Sequence, residues 1–204
     1  MNPLEERFEI LIDGLADRGY GIVDHFLSPE ETAALARILH EKRRQGEFKP
    51  AGIGNQQVTV QTGIRGDSIL WLAEEYAAPE ERAFLSSIRH FIDYLNRTCY
   101  LNLRDAEFHY AHYPAGTFYQ RHLDRFRTDS RRRLSVICYL NDDWQPADGG
   151  QLLLYLPQEN GTEQALEVLP VGGRLVCFES ARLEHEVLPA GRDRISLTGW
   201  LRTA

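Results

Sequence analysis

The back half of this chain is a series of short apolar or alternating segments cut apart by turn residues, and nothing else in the sequence limits its fold so strongly. They run over 108–113, 118–123, 134–140, 151–156, 174–178, 185–188 and 195–201. Each has the length of a strand rather than a helix, and strands at this spacing predict a sandwich or jelly roll. The front half reads differently. Residues 4–15 place Phe8, Leu11, Ile12 and Leu15 at helical spacing, with the helix ending near Gly19. Ser28-Pro29-Glu30-Glu31 is a capping box with proline at the first helical position, opening a helix to about Arg44. Pro79 begins a third helix, with Phe84, Ile88, Phe91, Ile92 and Leu95 on one stripe. Between these helices, 46–63 is punctuated by glycine and poor in large apolar residues, as in a long loop or loose hairpin. The expected fold is α+β and mainly β. A double-stranded β-helix, or jelly roll, spans about 106–203, and helices within about 1–100 pack on one of its sheets. With no internal repeat and no low-complexity stretch, 1–204 reads as a single domain.

Composition narrows the class. At 204 residues and 43% hydrophobic content the chain can bury a sizeable core, and no apolar run approaches a membrane span. Met1-Asn2-Pro3-Leu4-Glu5-Glu6-Arg7 has none of the charged-then-apolar character of a signal peptide. Cys99, Cys138 and Cys177 make an odd count without metal-ligand spacing, and two of them sit in apolar runs. A reducing cytoplasm is the expected compartment. The net charge of −7 argues against general nucleic-acid binding, which calls for a basic face.

The chemistry is carried by His122-Leu123-Asp124, followed 61 residues later by His185 and nine residues further by Arg194. Two histidines and one carboxylate are the facial triad of non-heme Fe(II) oxygenases, which leaves three coordination positions open. In an extended segment residues i and i+2 share a face, so His122 and Asp124 can grip one ion while Leu123 points away. The third ligand must come from a distant strand, and His185 is placed to supply it. Arg194 offers a bidentate fork for a carboxylate that is not on the metal. A three-residue pattern recurs by chance, so the triplet gains meaning only with His185 and Arg194.

Further stretches add to it: Ala111-His112-Tyr113-Pro114-Ala115-Gly116-Thr117-Phe118-Tyr119-Gln120-Arg121-His122-Leu123-Asp124, Cys138-Tyr139-Leu140-Asn141-Asp142-Asp143-Trp144, Gly149-Gly150-Gln151-Leu152, Arg194-Ile195-Ser196-Leu197-Thr198-Gly199-Trp200 and Ile64-Arg65-Gly66-Asp67-Ser68-Ile69-Leu70-Trp71. Together they resemble the prolyl 4-hydroxylase branch of the Fe(II)/2-oxoglutarate dioxygenases. The similarity is to the hypoxia-inducible-factor prolyl hydroxylases and their bacterial relatives, over about residues 60–202. Arg194 matches the oxygen-sensing branch; collagen-type enzymes carry lysine there.

The resemblance implies Fe(II) as cofactor, 2-oxoglutarate and O2 as co-substrates, and ascorbate alongside them. It implies Fe(II) held by His122, Asp124 and His185, with Arg194 and Tyr139 on the distal carboxylate of 2-oxoglutarate. Tyr113 and Tyr119 match tyrosines near the metal pocket, one of them near the co-substrate. Thr198 and Trp200 share a strand face with Arg194, Thr198 to line the co-substrate pocket and Trp200 to wall the substrate side. A core aromatic, a satisfied hydroxyl and a packed indole are the plainer readings of Tyr139, Thr198 and Trp200. Arg65 and Asp67 sit where a substrate-side lid would join the core; a surface arginine and a helix-capping aspartate are the alternative. Arg121, Arg125, Arg127, Arg131, Arg132 and Arg133 form a basic cluster that either docks an acidic stretch of substrate or is merely solvated. His25, His40, His90, His109 and His112 have no ligand-like partner at matching spacing, and the opposite parity of the last two prevents both from facing a metal. The expected reaction is hydroxylation of a prolyl residue in a protein, with elongation factor Tu as the bacterial partner and succinate and CO2 as co-products. The alternatives are a same-fold oxygenase of nucleic acid or free amino acid, and an inactive jelly-roll binding module.

Overall fold

A computed structural model describes residues 2–52, 61, 63–124, 131–158 and 160–204. Among these residues three α-helices and eleven strands follow in the order α1 (Pro3–Arg18), β1 (Tyr20–Val23), α2 (Pro29–Arg44), β2 (Lys49–Pro50), β3 (Ser68–Trp71), α3 (Pro79–Cys99), β4 (Leu103–Tyr113), β5 (Tyr119–His122), β6 (Arg132–Tyr139), β7 (Leu152–Pro157), β8 (Glu163–Val168), β9 (Leu175–Glu179), β10 (Glu184–Val187) and β11 (Arg194–Thr203). The helix starts follow the sequence signals. The Asn2 side chain accepts hydrogen bonds from the backbone amides of Leu4 and Glu5. Ser28 and Glu31 form the reciprocal capping box expected for α2. Gly19 ends α1 with φ of +82°, a left-handed conformation that favours glycine.

The strands form two antiparallel sheets, a large one ordered β1-β9-β6-β11-β4-β3-β2 and a small one ordered β5-β10-β7-β8. Alternation on the large sheet divides the interior in two. Leu134, Val136 and Cys138 on β6, with Ile195, Leu197 and Leu201 on β11, join Phe8, Leu35, Phe84, Phe91 and other helix residues in one core. Ile137 and Tyr139 on β6, with Ala111 and Tyr113 on β4, face the other way and pack with Leu152 and Leu154 of β7 and Val187 of β10. The helices thus cover one face of the large sheet, while the small sheet closes over the other, giving the jelly roll.

The strands expected from sequence are all present, with shifted ends. Four were not anticipated: β1, β2, β3 and β8. The 46–63 stretch contributes β2, which pairs with β3 as a hairpin. Its remainder at 53–60 and residue 62 lies outside the described residues, so the lid expectation for that stretch does too. The helix-cap alternative for Asp67 is replaced, since the residues after it form β3 rather than a helix. No helix among the described residues is long and apolar enough to cross a membrane.

Candidate active site

The candidate site forms within the small sheet, where β5 meets β10. His185 on β10 stands directly opposite His122 on β5 in the antiparallel register. The chain leaves β5 at His122, and Asp124 lies just beyond. The Ser135 hydroxyl on β6 donates to Asp124 Oδ2 at 2.7 Å and contacts the Ser180 hydroxyl at 2.8 Å. One ligand-type atom each from His122, Asp124 and His185 lies within 4.8 Å of the others. Leu123 is 40% exposed, whereas the side chains of its two neighbours are largely covered.

The imidazoles are oriented from behind. His122 Nδ1 lies 2.7 Å from the Gln120 carbonyl, and His185 Nδ1 lies 3.3 Å from that of Leu183. A carbonyl there selects the tautomer with hydrogen on Nδ1 and leaves the Nε2 lone pair for a cation. His122 Nε2 is buried without a hydrogen-bond partner among the described residues. Tyr119 stacks on His122 with ring centroids 3.6 Å apart, and Phe178 meets His185 edge-on at 4.7 Å. Burial works against ionisation of Asp124, but His185 and His122 beside it and the Ser135 hydroxyl outweigh burial, holding its carboxyl well below the usual range. Burial pushes His185 down to about 4, against the pull of Asp124, keeping the imidazole neutral. Two imidazoles that keep their Nε2 lone pairs for a cation and a carboxylate that stays ionised suit Fe(II), so the residues present fit the metal.

A cavity of about 430 Å³ runs inward from these three residues. At its inner end Arg194, 2% exposed, donates from Nε to the Gly150 carbonyl at 2.9 Å. Its guanidinium carbon lies 5.0 Å from the Tyr139 ring centre and 5.2 Å from that of Tyr113. Arg194 Nη2 and the Tyr139 hydroxyl are both buried and lack partners among the described residues. A buried cation with an unused N–H beside an unused hydroxyl is a receptor for a carboxylate. Gly150, at φ of +68°, makes room: a Cβ there would lie 2.9 Å from Ala190 Cβ and 3.3 Å from Arg194 Cδ.

Of the residues singled out in the sequence, His122, Asp124, His185, Arg194, Tyr113, Tyr119, Thr198, Arg65, Arg132 and Trp200 all line this cavity. Tyr139 stands behind Arg194, and Asp67 lies beneath Arg65. Arg65 binds Asp67 through two hydrogen bonds of 2.7 and 2.6 Å and lies over the Tyr119 ring at 4.1 Å. Within the basic cluster, Arg132 pairs with Glu107 and lies over the Trp200 ring, while Arg121 pairs with Glu163 and Glu184. Arg125 and Arg127 fall outside the described residues. His112 is turned away and lies 2.8 Å from Asp193. His109 was missed. It lines the cavity between Trp71 and Trp200, and parity with Tyr113 was the available signal.

A jelly roll with two histidines and a carboxylate at its mouth and a buried arginine at its base defines a non-heme iron oxygenase architecture. Residues 108–202 match the model of the 2OG-Fe(II) oxygenase superfamily. A Pseudomonas putida prolyl-4-hydroxylase structure is 42% identical, with a TM-score of 0.85 over 97% of this chain and 99% of that one. A prolyl hydroxylase from Trichoplax adhaerens, solved with a peptide fragment of the hypoxia inducible factor oxygen degradation domain, is 29% identical. Its TM-score is 0.86 over 98% of this chain and 90% of that one. Among curated proteins, human Egl nine homolog 1 is 30% identical over 97% of this chain and 47% of its own length. The chain spans about half the length of the curated relatives it matches. It belongs to the 2OG-Fe(II) oxygenase superfamily, among the prolyl hydroxylases.

Proposed function

We propose that this protein is an Fe(II)- and 2-oxoglutarate-dependent dioxygenase that hydroxylates a prolyl residue of a protein substrate in a reducing cytoplasm, with elongation factor Tu as the first substrate to test. One observation carries the reading. A single cavity joins three ligand-type atoms within 4.8 Å of one another to Arg194, whose Nη2, like the neighbouring Tyr139 hydroxyl, has no partner among the described residues. Here His122, Asp124 and His185 hold the iron, and Arg194 with Tyr139 holds the distal carboxylate of 2-oxoglutarate. Tyr113 and Thr198 line that co-substrate, while Arg65, Asp67, Arg132 and Trp200 belong to the substrate side.

The bound iron, with O2 and 2-oxoglutarate, supplies the oxidation of an unactivated C–H bond. The rest is the work of the chain. The carbonyls of Gln120 and Leu183 fix both imidazoles, and Ser135 fixes the carboxylate. The guanidinium of Arg194, itself held by the Gly150 carbonyl, sets the orientation of the co-substrate. Trp200, Ile137 and Val187 exclude water around the reacting centre.

The test is incubation of purified protein with Fe(II), 2-oxoglutarate and elongation factor Tu, followed by mass spectrometry for one added oxygen on a proline. Succinate without oxygen on that protein would retain the oxygenase and discard the substrate. Preference for free L-proline or a methylated oligonucleotide would discard the protein substrate altogether. Absence of succinate under every condition would leave only a binding module.

A further inference from the structure

The substrate end of the cavity carries a polar group that the sequence passed over. His109, on β4, is 4% exposed, yet its Nδ1 is buried without a hydrogen-bond partner among the described residues. Its ring lies 4.8 Å from Trp71 and 5.6 Å from Trp200, so a hydrogen-bonding imidazole interrupts an otherwise aromatic wall. Trp71 is 48% exposed, which places this wall at the open side of the cavity. Leaving such a group unpaired away from water is unfavourable, so the ring is disposed to take a partner.

The charges around it are already matched. Arg65 is bound to Asp67 and Arg132 to Glu107. Burial, together with those two arginines, pushes His109 down to about 3, so the ring is neutral at physiological pH and offers one donor and one acceptor. A neutral donor–acceptor group flanked by aromatic faces and paired ions matches a peptide unit. It does not match a phosphate, or the charged termini of a free amino acid, which would need an unpaired ion here.

We propose that His109 is a specificity-determining residue that hydrogen-bonds the main chain of the substrate beside the target residue, restricting the site to prolines within a peptide. This rests on the prolyl hydroxylase reading and adds the requirement for an intact peptide bond.

The experiment compares the unaltered protein with His109→Met and His109→Gln. His109→Met should raise KM for elongation factor Tu about tenfold, since a peptide amide is left unpaired. The affinity for 2-oxoglutarate should not move, and His109→Gln should recover part of the loss. An unchanged KM in His109→Met, or 2-oxoglutarate affinity falling in step with it, overturns the proposal. Should the unaltered protein fail to modify elongation factor Tu, that failure belongs to the substrate assignment, and a second measurement decides about His109. In zinc-loaded protein with 2-oxoglutarate, the imidazole ¹⁵N signals of His109 should shift on adding N-acetyl-L-proline methylamide and stay in place with free L-proline. No shift with the blocked proline, or equal shifts with both, overturns it.

Discussion

Arg194 shows how one side chain can be structural and receptive at once. Its Nε is spent on the Gly150 carbonyl, while Nη2 has no partner among the described residues. Arg194→Ala should therefore weaken 2-oxoglutarate binding roughly 10- to 100-fold, the worth of one charge-assisted hydrogen bond. Tyr139→Phe should cost less. Calorimetry on metal-loaded protein checks both, and unchanged affinity in Arg194→Ala would remove it from the co-substrate site. Ser135 acts on the metal at one remove, through Asp124 Oδ2. Ser135→Ala should lower metal affinity roughly 10- to 100-fold without loss of fold, as competition with a chromophoric chelator would report. Arg65 is different in kind, because the side chain of Asp67 beneath it is fully buried. Arg65→Met should destabilise the protein by about 3–5 kcal/mol by stranding that carboxylate. Chemical denaturation measures this, and a double change of Arg65 and Asp67 to apolar residues should recover much of it.

Elements were legible where local chemistry and burial agree. The helices announced themselves through apolar stripes in α1 and α3, the Ser28 capping box of α2, and first-turn prolines in α2 and α3. The strands that bury a face, such as β6 and β11, did so through apolar residues. The missed strands lack that signal for identifiable reasons. β8 is an edge strand whose residues Glu163, Gln164, Ala165 and Glu167 are exposed, so pairing with β7 alone makes it a strand. β1 has four residues and follows α1 after one glycine, too short for any period to register. β3 is only partly buried and owes its form to its register with β4. Part of the candidate site was legible because period-2 parity tells which residues share a face, and it put Thr198 and Trp200 on the face of Arg194, whereas Tyr139 came from the family resemblance. His109 shows the limit: parity put it on the cavity side, but only the fold shows a ring with no partner. Close approach between α1 and β1 was equally hidden. A Cβ on Gly21 would lie 2.4 Å from the Leu11 carbonyl oxygen, and one on Gly14 would lie 2.5 Å from that of Tyr20. Gly21→Ala should therefore cost about 1–3 kcal/mol in denaturant titration while 2-oxoglutarate affinity is kept. Loss of both together would show that α1 and the site are coupled.

For the molecule as a whole, the buried neutral histidines link stability to pH. Burial, with help from Arg65 and Arg132, pushes His109 from an ordinary 6.5 to about 3, and burial pushes His185 from 6.5 to about 4. Unfolded, both take up a proton near pH 6.5; folded, neither does until the solution is far more acidic. The unfolded chain thus binds more protons in the interval, and stability of the metal-free protein should fall as pH drops from about 6.5 towards about 4. Urea midpoints across that range test this, and the decline should be shallower in His109→Gln. The large sheet also has no idle side. On β6, Cys138 belongs to the helix-covered core and Tyr139, one residue on, to the core next to the site. Deleting a single residue from the middle of β6 would exchange those assignments for the rest of the strand. It would take the Tyr139 hydroxyl away from Arg194 and drive it among the helices. The central strands can thus change in sequence but not in length, because a change of one residue would exchange what each core receives.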